Sequence, residues 1–358
     1  MKKRVLSLML AGAMVLGALT GCAGKAEETT AAATEAATEA AAEETTAETE
    51  AKTEAAEAAK ESVNIGVIQY MQHESLDDAY EGFVAGLEEA GYKEGENLTL
   101  DYQNASGEVS NCQQICNVFA SNNADLVLAI ATPAAQSAVN VCQETDIPVL
   151  FTAVTDAVSA GLVESNEAPG KNVTGTLDMP VIADQIAVIK DVLPEAQKLA
   201  ILYTSSEANS EIQAEEAKAA AEALGMEVII QTSSSSNDIP QVISSVVGSA
   251  DAIYIPSDNA FASAMTTVNA TAVENQIPVF CAVEAMIAEG GIATTAIDYY
   301  ELGKQTAAQA VRVLNGEAAS DIAVETQKEC AMVVNETFAA SVGVEIPAEI
   351  LEKAVTKY

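Results

Sequence analysis

Between residues 63 and 358 the apolar positions follow two rhythms. Short unbroken apolar runs alternate with longer stretches in which apolar residues recur every three or four positions, predicting strands and helices in turn. Val63–Tyr70 reads as a buried strand, and Leu76–Ala90 as an amphipathic helix closed by Gly91. Leu98–Tyr102 reads as a strand, Val109–Ser121 as a helix, and Asp125–Ala131 as a strand that is apolar almost throughout. Pro133 suits the first turn of the next helix, and Ile147–Thr152 reads as the strand after it. After Pro180 the pattern restarts. A helix is predicted at Ala187–Val192, a strand at Leu199–Tyr203, and a long Ala/Glu helix at Glu207–Leu224 ended by Gly225. Strands at Glu227–Gln231, Ala252–Ile255 and Pro278–Cys281 follow, with helices between. Strands without polar alternation are covered on both faces, so the pattern predicts an α/β protein built on parallel sheets.

One unit occurs twice. Asp125-Leu-Val-Leu-Ala-Ile-Ala-Thr132, a helix, and Asp146-Ile-Pro-Val-Leu-Phe-Thr-Ala-Val154 are echoed by Asp251-Ala-Ile-Tyr-Ile-Pro-Ser257, a helix, and Gln276-Ile-Pro-Val-Phe-Cys-Ala-Val283. Two similar doubly wound lobes are the expected architecture. Open parallel sheets bind ligands beyond the C-terminal ends of their strands. In the first lobe those ends supply Gln72 and His73 after Tyr70-Met71, then Thr132-Pro133-Ala134, then Val154-Thr155-Asp156 after Ala153. In the second they supply Ser205 and Glu207 after Thr204, then Ser257-Asp258-Asn259, then Glu284 after Val283. These groups are hydrogen-bonders and acids, with no Lys or Arg among them.

The first 62 residues differ in character. Lys2, Lys3 and Arg4 precede the apolar run Val5–Leu19, which suits an export signal and is short for a membrane span. Leu19-Thr20-Gly21-Cys22 resembles a bacterial lipobox. Residues 1–21 are therefore expected to be a lipoprotein signal peptide, and Cys22 the lipidation site that anchors the protein to the outer face of the cell membrane. Residues 22–62 form the tether. From residue 23 it holds sixteen Ala, eight Thr and eleven Glu, with no aliphatic side chain larger than Ala. Such a segment has nothing to bury against the entropy of ordering, so a disordered spacer is expected.

Charge and composition narrow the chemistry. With 53 acidic and 16 basic side chains the formal charge is -37, which argues against nucleic acid and against anionic lipid surfaces as partners. His73 is the only histidine, so neither a His-based metal site nor a Ser-His-Asp enzyme has much to build on. No G-x-S-x-G elbow, Walker sequence or G-x-G-x-x-G follows a strand. No cofactor, metal or catalytic residue is expected. Asp258 and Glu284 leave an acid–base pair open, beside helix capping as the plainer reading. His73 reads either as a cleft residue or as a structural loop residue. Tyr70, Met71, Phe261, Tyr299 and Tyr300 are candidates for an aromatic pocket or for core. Five cysteines besides Cys22, all but Cys112 and Cys116 in apolar contexts, suggest free thiols. Gly82 and Gly86, four apart within a helix, read as close-packing positions.

Further stretches carry a resemblance. These are Gln72-His73-Glu74-Ser75-Leu76-Asp77, Ala131-Thr132-Pro133-Ala134-Ala135-Gln136, Phe151-Thr152-Ala153-Val154-Thr155-Asp156, Asn172-Val173-Thr174-Gly175 and Ile255-Pro256-Ser257-Asp258-Asn259. With the lipobox and acidic tether, they resemble the ABC transporter substrate-binding lipoproteins that include tryptophan/tyrosine-binding proteins. The resemblance implies a type I periplasmic-binding-protein fold with a three-segment hinge near Thr176–Pro180, Thr294–Ile297 and Ile322–Thr326. Residues 63–177 and 297–324 would form one lobe, and 178–296 and 325–358 the other. It further implies a monomer that captures a small molecule, with an amino acid as first expectation, and passes it to an ABC permease and its ATPase subunit. A ligand-sensing receptor of the same fold is the alternative. For an amino acid, the carboxylate is expected at the helix start after Thr132, using its hydroxyl, the Ala134 N–H and Thr155. Asp258 is the first expectation for the ammonium, with Asp156 and Glu284 behind it.

Overall fold

The computed structural model describes residues 62–327 and 329–358. The expected export signal, the expected lipidation site Cys22 and the expected tether through Glu61 lie outside the described residues. Val63–Gln69 (β1) is buried at every position but Asn64, as its apolar run requires. Along the chain follow α1 (Glu74–Glu89), β2 (Leu98–Asn104), α2 (Val109–Ser121), β3 (Leu126–Ile130), α3 (Thr132–Cys142), β4 (Val149–Val154) and β5 (Val173–Leu177). A second series runs α4 (Ile182–Val192), β6 (Lys198–Thr204), α5 (Ala208–Ala223), β7 (Glu227–Ser233), α6 (Ile239–Val246), β8 (Ala252–Ile255), α7 (Asn259–Ser263), α8 (Met265–Asn275), β9 (Val279–Cys281), α9 (Glu284–Gly290) and β10 (Ala293–Ala296). The chain closes with α10 (Tyr299–Leu314), β11 (Glu325–Thr326), β12 (Ala331–Val334), α11 (Glu336–Ser341), α12 (Ala348–Lys353) and β13 (Thr356–Lys357).

The first sheet is parallel throughout, in the order β2-β1-β3-β4-β5-β11. The second repeats that winding as β7-β6-β8-β9, also parallel. β10, β12 and β13 form a separate three-stranded sheet with one antiparallel pair. The sequence echo maps onto equivalent places: β3, α3 and β4 in one sheet answer β8, α7–α8 and β9 in the other. The architecture is therefore two parallel-sheet α/β lobes.

The chain passes between the sheets three times: after β5, between β10 and α10, and between β11 and β12. Glu325 and Thr326 pair with Thr176 and Leu177 of β5. They belong to the first sheet, although the sequence reading placed them at the start of the second lobe. β5 itself, Val173-Thr-Gly-Thr-Leu177, has too polar a composition to read as a strand, yet all five residues are buried. Its hydroxyls are satisfied internally: Thr174 Oγ1 donates to the Ile322 carbonyl at 2.7 Å, and Thr176 Oγ1 lies 2.8 Å from Thr306 Oγ1. α4 starts at Ile182, five residues before the expected helix, because Ile182 and Ile186 extend its buried stripe.

α10 returns to the first lobe and lies along α1. A Cβ at Gly82 would run into the Tyr300 carbonyl, and one at Gly303 into the Ala79 carbonyl. The two helices therefore touch backbone to backbone, which accounts for the small residues in α1. Cys112, Cys116, Cys142 and Cys281 are buried free thiols, whereas Cys330 is exposed despite its apolar sequence context. Among the described residues no helix is long and apolar enough to cross a membrane, and no group of three or more His, Cys, Asp or Glu is placed to hold a metal ion.

Candidate functional site

The C-terminal strand ends of both lobes face one cleft. From the first lobe it is lined by His73 (after β1), Ser75 and Leu76 (opening α1), Thr132 (after β3), Ala153 and Thr155 (ending β4), Asp178 (after β5) and Tyr299 (opening α10). The other lobe contributes Asn209 in α5, Ser257, Asp258, Asn259 and Ala262 after β8, and Val283 and Met286 after β9. The cavity enclosed between these atoms is small, about 20 Å³. The lobes are thus drawn together. Two hydrogen bonds cross between them: His73 Nε2 lies 3.2 Å from Asn259 Oδ1, and Gln213 Nε2 donates to Thr155 Oγ1 at 3.3 Å.

The backbone under the first-lobe wall is strained. Ala131 has φ 82° and Ala153 φ 55°, a region that alanine rarely occupies. Ala131 turns the chain from β3 into α3. Neither α3, which begins at the cleft-lining Thr132, nor α1, which follows the cleft-lining His73, has a side chain capping its N-terminus.

Unpartnered buried polar atoms are uncommon in folded proteins. Four of them gather here: His73 Nδ1, Ser75 Oγ, Asp178 Oδ1 and Asn209 Oδ1. The other oxygen of Asp178 accepts from the Tyr299 hydroxyl at 2.7 Å. Burial pushes the Asp178 carboxyl above the usual range, against the pull of that hydroxyl. Burial lowers the pKa of the His73 ring, favouring neutral imidazole. A narrow cleft with clustered, unpaired acceptors suits a small ligand that brings its own donors.

Of the expected site residues, His73, Thr132, Thr155, Ser257, Asp258 and Asn259 come together in this lining. Gln72 is exposed, and Ala134 and Val154 are buried just behind the wall. Asp156 is occupied locally, accepting from the Val158 and Ser159 N–H groups at 3.0 Å each. Ser205 is exposed and donates to the Ser233 carbonyl. Glu284 accepts from the Tyr358 hydroxyl at 3.0 Å and lies outside the lining, so it does not pair with Asp258 across the cleft. Among the aromatic candidates Tyr299 lines the cleft, Phe261 is core, Tyr300 is exposed, and the Tyr70 hydroxyl donates to the Gly107 carbonyl. The sequence reading missed Asp178 and Asn209. Asp178 obeys the same strand-end rule, but its strand was not recognisable.

A family model described as ABC transporter substrate binding protein matches residues 64–357. The chain belongs to the ABC transporter substrate-binding protein family. A tyrosine-binding protein from Clostridioides difficile (strain R20291) is 38% identical over 334 residues, covering 93% of this chain and 90% of that one. The crystal structure of an ABC domain in complex with L-Trp from Streptococcus pneumoniae is 35% identical, with TM-score 0.80 over 83% of this chain and 100% of that one. The ligand-free, open structure of a substrate-binding protein with adhesive properties from Clostridium difficile is 39% identical but has TM-score 0.63, over 82% and 98%. Lower sequence identity with higher structural similarity means that the interlobe arrangement follows the L-Trp complex more closely than the open form. Substrate-binding proteins of ABC transporters act outside the cytoplasm and bind solutes rather than transform them.

In this substrate-binding protein a second carboxylate stands behind the cleft wall. Glu207 Oε2 accepts from Asn259 N at 3.0 Å and Asn259 Nδ2 at 2.6 Å, and Oε1 accepts from Ala260 N at 3.1 Å. Asp258 accepts from Thr204 N at 2.6 Å, Thr204 Oγ1 at 2.8 Å and Phe261 N at 3.0 Å, so it caps α7 and ties it to β6. Burial, then the neighbouring Asp258, pushes Glu207 up to about 8, and burial raises Asp258 as well. A carboxyl raised by folding contributes stability that is complete below its ordinary value of 4.5 and lost as pH rises through about 8. The ligand-free protein is therefore expected to lose stability across that window, and Glu207→Gln to flatten the loss. Urea midpoints at the two ends of the window check this, and identical pH dependence in both proteins would show that Glu207 is not the titrating group.

Proposed function

We propose that this substrate-binding protein captures an aromatic L-amino acid in the interlobe cleft. Held by lipid on Cys22 at the membrane surface, it passes the ligand, as a monomer, to an ABC permease driven by an ATPase subunit. The observation that carries the ligand class is Asp178: a buried carboxylate with one unpaired oxygen, in a cleft without Lys or Arg, suits an ammonium group. Asp258 was the first expectation for that role, but its oxygens already serve the α7 N-terminus and Thr204. Asn209 Oδ1 supplies a second acceptor. The ligand carboxylate is assigned to hydroxyls and N–H groups where α1 and α3 begin, with Ser75, Thr132 and Thr155 as donors. Leu76, Val283, Met286 and Tyr299 offer the apolar wall for a side chain. The tyrosine-binding relative and the L-Trp complex favour an aromatic one.

Closure follows from differential affinity. Donors and acceptors come from both lobes, so a ligand that touches both favours the closed form. Isothermal titration with L-tyrosine, L-tryptophan, L-phenylalanine, L-leucine and myo-inositol tests the reading. An aromatic amino acid is expected to bind at one site per chain. At 100 times its Kd it adds about 2.7 kcal/mol to stability. Binding of the polyol alone, or of none of the five, would overturn it.

A further inference from the structure

The cleft contains a side-chain relay that crosses from one lobe to the other. It begins at Glu207, whose Oε2 accepts from the backbone and the side-chain amide of Asn259 and, at 3.5 Å, from Asn209 Nδ2. The Nδ2 group of Asn259 is thereby committed to Glu207. Above the raised pKa of Glu207, about 8, the carboxyl is ionised, and turning the amide over would then set its carbonyl oxygen against the carboxylate. Asn259 Oδ1 is left facing His73 Nε2 at 3.2 Å. A carbonyl oxygen only accepts, so Nε2 must carry the proton. In a neutral ring the other nitrogen is then a bare lone pair, and Nδ1 is a buried atom without a partner in the lining of the cleft.

We propose that the Glu207–Asn259 pair of one lobe sets the tautomer of His73 in the other, so that His73 Nδ1 is an obligate acceptor for an N–H or O–H group of the ligand. Asn259 and Glu207 are positioning residues here, and His73 is the group that touches the ligand. Burial keeps the ring neutral, while its hydrogen bond to Asn259 and the charge of Asp77 act in the other direction. The relay forms only when the lobes approach, because its Asn259–His73 link spans them. His73 thus reads a donor on the ligand and the closed state with one ring. The assignment of the donor to the ligand rests on the amino acid reading above, whereas the tautomer does not.

The chain has one histidine, so its two ring nitrogens are the only ones in a histidine-labelled sample. Nitrogen NMR of the protein labelled with 15N-histidine, at about pH 9 where Glu207 is ionised, with and without L-tryptophan, is the test. The expected result with L-tryptophan is a protonated, pyrrole-type Nε2 and a pyridine-type Nδ1. Relative to the ligand-free spectrum, the Nδ1 resonance shifts upfield as it accepts a hydrogen bond. Asn259→Leu removes the acceptor and is expected to populate the Nδ1–H form and weaken L-tryptophan binding at least tenfold. Asn259→Gln is expected to restore part of both. A loss of packing alone would lower affinity without moving the tautomer. A ring protonated on Nδ1 in the wild-type complex at that pH, or on both nitrogens, would overturn the relay. An Nε2–H ring whose Nδ1 resonance ignores a bound L-tryptophan would overturn the ligand contact. If L-tryptophan and L-tyrosine produce no binding heat, the ligand reading fails; an Nε2–H ring that Asn259→Leu converts toward Nδ1–H in the ligand-free protein then keeps the relay in a protein that closes unaided, and a ring that ignores the substitution overturns it.

Discussion

Asp178→Asn is expected to lower affinity for L-tyrosine or L-tryptophan at least about 100-fold. Removing one partner of a buried ion pair leaves the other uncompensated, at a cost of about 3–5 kcal/mol. Asp178 is buried, with Oδ2 held by Tyr299 and Oδ1 unpaired. Asparagine has the same shape and can still accept from the Tyr299 hydroxyl, so the cleft keeps its form while losing its charge. The stability of the ligand-free protein should move the other way, or not at all. Burial raises the Asp178 carboxyl, so the stability it contributes is present below its ordinary value of 3.8 and is lost as pH rises through its raised value. Asparagine has no proton to lose. At neutral pH the ligand-free variant is therefore expected to melt no lower than the wild type. Calorimetry paired with thermal melts separates the two effects. Unchanged affinity would exclude Asp178 as the ammonium partner, whereas a large fall in melting temperature would make its role structural.

Gly303→Ala is expected to destabilise the protein by about 3 kcal/mol, at the upper end for overpacking. Helix propensity alone argues the reverse, since alanine is favoured over glycine by about 1 kcal/mol within a helix. The new Cβ would meet the carbonyl of Ala79, with Phe83 N at 2.8 Å, and both belong to the α1 backbone, which has no rotamer to turn aside. Either α10 moves off α1 or the contact is broken elsewhere. Because α10 begins with Tyr299, whose hydroxyl bonds Asp178, ligand affinity should fall along with stability. Urea denaturation should show a lower midpoint with an unchanged slope. A midpoint at or above that of the wild type would mean that the helices are not in backbone contact.

These two residues differ in how far they were legible. The tight packing of α1 could be inferred from Gly82 and Gly86, because small residues one helical turn apart on an apolar face have few other uses. Its partner helix could not, since α10 lies more than two hundred residues further along the chain. Of the residues that the strand-end rule collected, His73, Thr132, Thr155, Ser257, Asp258 and Asn259 line one cleft. The rule passed over Asp178 because Thr174, Gly175 and Thr176 disguise β5 as a loop. Their polarity is tolerated only through hydroxyl partners supplied by Thr306 and Ile322. Asp258 drew attention as an acid at a strand end, but whether such an acid faces a ligand or a helix N-terminus depends on donors that sequence spacing does not reveal.

The sequence by itself determined the alternation of elements, the duplicated winding and the side of each sheet on which chemistry must lie. Hydrophobic periodicity and strand direction are local properties, and both are written into short windows of chain. Only the tertiary structure decided which carboxylate has a free oxygen, which amide orients the one histidine, and which lobe Glu325 and Thr326 join. Those outcomes are set by hydrogen-bond competition between groups far apart in sequence. A polar atom's partner depends on what folding brings within 3 Å or so of it, and no run of neighbouring residues encodes that distance.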